Sequence, residues 1–193
     1  MSDCEEGTMS AGCYSKNVEK AIRYLWIDMD IKKKQNAIDL LREAANKGDG
    51  DALFLLSKCY MGEKEIFPGF DFEKDDALAK EYLQHALELG SVLAWFTERG
   101  IKGCDMSYAS FLKHYTPREL WEIVMERAEK GDCFAQVAMG DMFFCFRLKA
   151  FWDLPYPLLD NMFGNAWYME AVKWYEKAVK RGFVKAIAHI NKI

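Results

Sequence analysis

Four stretches of the chain end on a glycine in one register. "AIDLLREAANKG" ends at Gly48, "AKEYLQHALELG" at Gly90, "LWEIVMERAEKG" at Gly131 and "AVKWYEKAVKRG" at Gly182. The glycines stand 42, 41 and 51 residues apart. Eleven positions before each stands Ala37, Ala79, Leu120 or Ala171; four before stands Ala44, Ala86, Arg127 or Ala178. Four positions after stands Ala52, Ala94, Ala135 or Ala186; eight after stands Leu56, Glu98, Met139 or Ile190. Self-similarity at a fixed period of this length marks a repeat architecture, and it limits the fold before any other feature is weighed.

Each column has a physical reason. The residues eight, seven, four and three before the glycine are mostly apolar, as in Leu40, Leu41, Ala44 and Ala45, and lie on one face of an α-helix. Glycine takes the left-handed conformation that ends a helix, and a Lys or Arg often precedes it, where a cation suits the helix C-terminus. Asp49, Ser91 and Asp132 follow three of the glycines and are suited to cap the next helix. The motif is therefore a tight helix-turn-helix, with alanines on both sides for close approach and Gly140 for a closer one. Thr116, Pro117 and Glu119 form a helix-start signal with a capping box, and Asp75 is placed to cap the second copy. A lone helix from Val18 to about Met29 is expected first, with Asn17 in the glycine's place and Ala21 and Leu25 in the following columns. Four helix pairs are expected after it, nine main helices in all, with a short extra helix at Asp105 to His114.

Composition permits a packed core, since half of the 193 residues are apolar and 28 are aromatic. The net charge of -4 and a longest basic run of three, Lys32 to Lys34, argue against nucleic acid as a partner. No apolar window is long enough to span a membrane; the run Val137 to Phe146 is broken by Asp141. The start, "MSDCEEGTMSAGCYSKN", is polar and acidic and lacks the features of a secretory signal, so a cytoplasmic protein is expected, with a signal-less export route left open. Residues 1–16 read as a flexible tail and 17–193 as one domain. The six cysteines form no CxxC and read mostly as reduced, structural thiols.

The copies "AIDLLREAANKGDGDALFLLSKCYMG" and "AVKWYEKAVKRGFVKAIAHI" resemble the Sel-one-like repeat, a branch of the tetratricopeptide-like helical repeats. The resemblance covers about residues 17–193. It implies an all-α, right-handed superhelical solenoid with a concave binding surface, and an adaptor or scaffold function with no cofactor. The second copy departs from the pattern at Glu98 and Arg99, and the fourth stops early in its second helix. A cysteine-rich secreted branch of the family carries a cysteine pair in each repeat; this chain does not, so that branch's properties are not carried over.

Catalytic and metal-site motifs are missing. His85, His114 and His189 fall at unrelated repeat positions, and there is no HExxH, GxSxG or phosphate-binding glycine loop. The chain therefore reads as a non-enzyme. Two features point to partner binding. Nine and five residues before each glycine stand Asp39 and Glu43, Glu81 and His85, Glu122 and Glu126, then Lys173 and Lys177. These pairs lie one turn apart on a helix face, acidic in three copies and basic in the fourth. They suit a basic partner segment if they line the groove; an ordinary solvated face is the other reading. The second feature is the 147–166 insertion, with Phe151, Trp152, Tyr156, Leu158 and Phe163, which is either a binding hot spot or a plug over the solenoid's own core. A second aromatic- and charge-bearing stretch, "GEKEIFPGFDFEK", joins copies one and two. The rival reading is a secreted or injected effector acting on a host protein; a small-molecule binder or hydrolase is a third. Self-association end to end through Ile190 and Ile193 is a further expectation.

Overall fold

The computed structural model describes residues 12–61, 72–98, 114–144, 166–184 and 186–191, which form helices and turns with no strand among them. A first helix, α1 (Lys16–Ile22), runs into a π-helical turn at Arg23–Ile27. A short 3-10 turn at Ile31–Lys33 then leads into four pairs. These are α2 (Lys34–Asn46) with α3 (Gly50–Tyr60), α4 (Asp76–Glu88) with α5 (Val92–Glu98), α6 (Pro117–Glu129) with α7 (Cys133–Phe144), and α8 (Ala166–Lys180) with α9 (Ala186–Ile190). The extra helix expected at Asp105 to His114 falls, apart from His114, outside the described residues.

The four hairpin turns share one construction. Gly48, Gly90, Gly131 and Gly182 have φ of 85, 74, 94 and 88°, the left-handed region that closes a helix. The next residue's N–H, from Asp49, Ser91, Asp132 or Phe183, bonds the carbonyl of Ala44, Ala86, Arg127 or Ala178. The glycine N–H bonds the carbonyl of Ala45, Leu87, Ala128 or Val179, which completes a Schellman turn. In three copies the following residue then caps the second helix. Asp49 Oδ1 accepts from the Ala52 N–H at 3.0 Å, Ser91 Oγ from Ala94 at 3.2 Å, and Asp132 Oδ1 from Ala135 at 3.2 Å. Phe183 has no side-chain oxygen to offer, and α9 begins only at Ala186 and lasts five residues. The other expected caps also form: Asp75 accepts from the Leu78 N–H, and Thr116 and Glu119 make the capping box.

The small-residue columns are the contact surfaces. Ala37, Ala79, Ala171, Ala44, Ala86, Ala178, Ala52, Ala94, Ala135 and Ala186 are all buried, as are Ala21 of α1 and Leu25 of the π turn. Successive helices pack against one another from α1 to α9, and α3 meets α5 as α5 meets α7. Gly140 of α7 lies under the Tyr175 ring of α8; a Cβ there would stand 2.3 Å from that ring. The α7–α8 approach depends on this glycine.

Two features depart from the sequence reading. The helix expected to continue to about Met29 ends in the π turn at Ile27, whose Leu25 and Trp26 are both buried. Met29 then takes a positive φ of 47° as the chain reverses. The second feature is a contact between the ends of the described chain. Trp26 meets Phe134 of α7 edge to face at 5.0 Å, Phe134 meets Phe183 at 5.1 Å, and Ile27 lies against Gly182. Within the stretch expected to be a tail, residues 12–16 are held: α1 starts at Lys16, and Tyr14 and Ser15 bond to Asp132 and Asp49. Residues 1–11 lie outside those described.

Candidate functional site

The first-helix positions singled out in the sequence are placed alike. Asp39, Glu43, Glu81, His85, Glu122, Glu126, Lys173 and Lys177 are all exposed. Most are neutralised within their own helix. Asp39 pairs with Arg42 at 3.6 Å, Glu43 with Lys47 at 2.6 Å, Glu122 with Arg118 at 2.8 Å, and Glu126 with Lys130 at 2.6 Å. Lys173 pairs with Glu170, and the Lys177 ammonium sits 3.6 Å from the centre of the Trp174 ring. The Glu43 and Glu126 carboxyls are held below the usual range by the lysine hydrogen bond each accepts. Phe151, Trp152, Tyr156, Leu158 and Phe163 lie outside the described residues, with nearly all of the 147–166 insertion. At the far end Ile190 is half-buried, while Val184 and Ile187 beside it are exposed; Ile193 is outside the described residues.

The sequence reading missed the polar cluster that the hairpin turns assemble. Arg127 stands at the end of α6 in the column that is alanine in the other copies, and its side chain is 10 % exposed. Its Nε donates to Asp132 Oδ2 at 2.9 Å and its Nη1 to Asp51 Oδ2 at 2.7 Å. Asp132 is fully buried, and it also accepts from the N–H groups of Phe134 and Ala135. The Tyr14 hydroxyl lies 2.8 and 2.9 Å from the two Asp132 oxygens, and the guanidinium lies 4.6 Å from the centre of the Tyr14 ring. Ser91 Oγ, in the second turn, donates to Asp51 Oδ1 at 2.6 Å, and the Tyr115 hydroxyl donates to the Gly90 carbonyl. One cation and two carboxylates thus join the turns of copies one, two and three to the segment before α1.

Burial governs the cluster's protonation. Desolvation works against the Arg127 charge, but Tyr14, Asp51 and Asp132 outweigh it and the pKa is raised. Burial pushes the Asp132 carboxyl up, opposed by Arg127 and by the Tyr14 hydrogen bond. Burial, aided by Asp132, pushes the Tyr14 hydroxyl well above its usual range, so it remains a donor. The sequence held two signals: Arg127 interrupts an alanine column, and Asp132 sits in a cap position. Nothing local marks Asp51 or Tyr14, whose partners lie 76 and 118 residues away.

A second polar group ties the last three helices. Asp141 Oδ1 of α7 accepts from the Tyr175 hydroxyl at 2.7 Å and lies 2.8 Å from His189 Nδ1 of α9. His114 packs over Gly90 and beside Trp95, and His85 is exposed, so the three histidines have different surroundings. An open cleft of about 480 Å³ is lined by Ser15, Lys16, Asn17, Ala44, Lys47, Gly48 and Asp49. Two of its charged groups are engaged: Asp49 caps α3 and Lys47 pairs with Glu43. Among the described residues no three His, Cys, Asp or Glu side chains gather as a metal site. Cys13, Cys59 and Cys133 are free thiols; burial pushes all three up, and Cys59 and Cys133 are buried. No described helix is long and apolar enough to cross a membrane.

Compared with family models, with curated proteins and with solved structures, the chain matches none.

Proposed function

We propose that the chain is a non-catalytic interaction module, a right-handed helical-repeat solenoid of the Sel-one-like kind. It binds a partner protein through its exposed first-helix faces or through the 147–166 insertion. The observation that carries this reading is the recurrence of outward-facing charge at one register. Six positions in three successive first helices are exposed and five of them are acidic, while the same helices bury Ala37, Ala44, Ala79, Ala86, Leu120 and Arg127. The pairs that neutralise these carboxylates are surface i,i+3 and i,i+4 pairs. Such pairs are worth about 0.3–0.5 kcal/mol each on a helix, so a basic partner segment exchanges them at little cost. The buried Arg127 and Asp132 and the part-buried Asp51 are engaged with one another through Arg127 and with the turns, and so serve the scaffold.

The test is capture from the native cell lysate with mass-spectrometric readout and three baits: the intact chain, E81K/E122K/E126K, and a chain lacking residues 150–164. A partner held by the intact chain and lost by the charge-reversed bait locates binding on the first-helix faces. Loss on deletion locates it on the insertion. No partner for the intact chain, or one held equally by all three baits, overturns the reading.

A further inference from the structure

We propose that residues 12–15 are a strap with Tyr14 as its latch, and that its closure and release set how the first and third repeats sit relative to each other. Two adjacent residues attach to turns from different copies. Ser15 Oγ donates to Asp49 Oδ2 of the first turn at 3.1 Å, and Tyr14 donates to Asp132 of the third. The seat for Tyr14 is built from charge where the repeat otherwise uses alanine. Arg127 faces the tyrosine ring and orients Asp132 from the other side. One guanidinium nitrogen, Nη2, is buried with no hydrogen-bond partner among the described residues.

Apart from Tyr14, which packs against the core, the strap is lightly held. Gly12 has a φ of +78° and open space where a Cβ would point, Cys13 is half-buried, and Ser15 is exposed. Segments with few buried contacts open at low free energy. The seat survives opening, because without Tyr14 the Asp132 carboxylate keeps Arg127 Nε and the N–H groups of Phe134 and Ala135. Asp132 thus keeps these partners whether or not Tyr14 is seated, so opening leaves no stranded carboxylate. Strap closure is a property of the free chain and is tested without a partner.

The experiment uses the full chain and compares wild type with Tyr14→Phe and Ser15→Ala. Peptide-resolved hydrogen exchange, alkylation of Cys13 and small-angle scattering are the readouts. Tyr14→Phe keeps the ring and removes one charge-assisted hydrogen bond, worth a factor of about ten to a hundred in the opening equilibrium. Exchange across residues 13–19 and Cys13 alkylation rise by that factor, α4 and α5 are unchanged, and the radius of gyration increases. Ser15→Ala speeds the same segment with the Arg127 cluster intact. Unchanged exchange across residues 13–19 in both variants overturns the proposal. So does a parallel rise in every helix, which would make Tyr14 an ordinary core residue. Faster local exchange with unchanged scattering overturns the link between strap and repeat placement.

Discussion

At the scale of the residue, Arg127 decides more than any other side chain described. Its column asks for alanine, and Ala44, Ala86 and Ala178 show how well alanine packs there. Restoring the pattern with Arg127→Ala nevertheless destabilises the chain, because Asp132 remains fully buried without its cation. Breaking a buried pair from one side costs about 3–5 kcal/mol. Asp51→Ala costs less, since Asp51 is 14 % exposed and water can reach the vacated guanidinium. Once Arg127 is gone, Asp51 has lost most of its purpose. The double variant should therefore fall short of the summed single losses by about 1–3 kcal/mol, the usual range for directly bonded partners. Urea denaturation of the four chains measures this. Strict additivity would show that the 2.7 Å contact carries no coupling. The cluster was half legible beforehand: an arginine in an alanine column and an aspartate in a cap position are local irregularities, whereas Asp51 and Tyr14 look ordinary until the fold brings them in.

At the scale of the element, the hairpins were legible because their causes are local. A left-handed glycine, a capping oxygen and an alanine four residues to either side act within two turns of helix, and all are written in consecutive residues. The π turn at Arg23–Ile27 was not legible: no glycine, proline or capping pattern marks it, and its Trp26 packs against a helix distant in the chain. Gly140 tests how far local preference governs. Gly→Ala inside an exposed helix gains about 1 kcal/mol of propensity. Here the new methyl would stand 2.3 Å from the Tyr175 ring. That ring is fully buried and its hydroxyl is tied to Asp141, so it has little room to move away. Overpacking costs about 1–3 kcal/mol, which equals or exceeds the propensity gain. Gly140→Ala should lower the melting temperature and speed exchange in α7 and α8 before the other helices. A higher melting temperature would show that the α7–α8 contact yields easily.

At the scale of the molecule, the period of the sequence pattern predicts which helices are neighbours but not which distant elements meet. Such meetings depend on small rotations that accumulate from one helix pair to the next, and no single residue encodes them. The meeting of the π turn with α7 and the Gly182 turn was for this reason invisible in the sequence. It has a consequence for unfolding. In an open stack each repeat contacts only its neighbours, and the ends fray first. Here Phe134 stands between Trp26 and Phe183 and links α1 to the last turn, while the Arg127 cluster links the first three turns. The end helices therefore share in the stability of the middle, and the wild type should unfold in one transition with equal calorimetric and van't Hoff enthalpies. Phe134→Ala removes both ring contacts and leaves the glycine turns and caps intact. With it, the calorimetric enthalpy should exceed the van't Hoff value, and exchange in α1 and α9 should separate from that in α3 and α5. If Phe134→Ala instead lowers the melting temperature while the two enthalpies stay equal, the aromatic contact adds stability but does not couple the ends. Cooperativity would then have to come through the turn cluster, and the Arg127→Ala variant would be the one to show split unfolding.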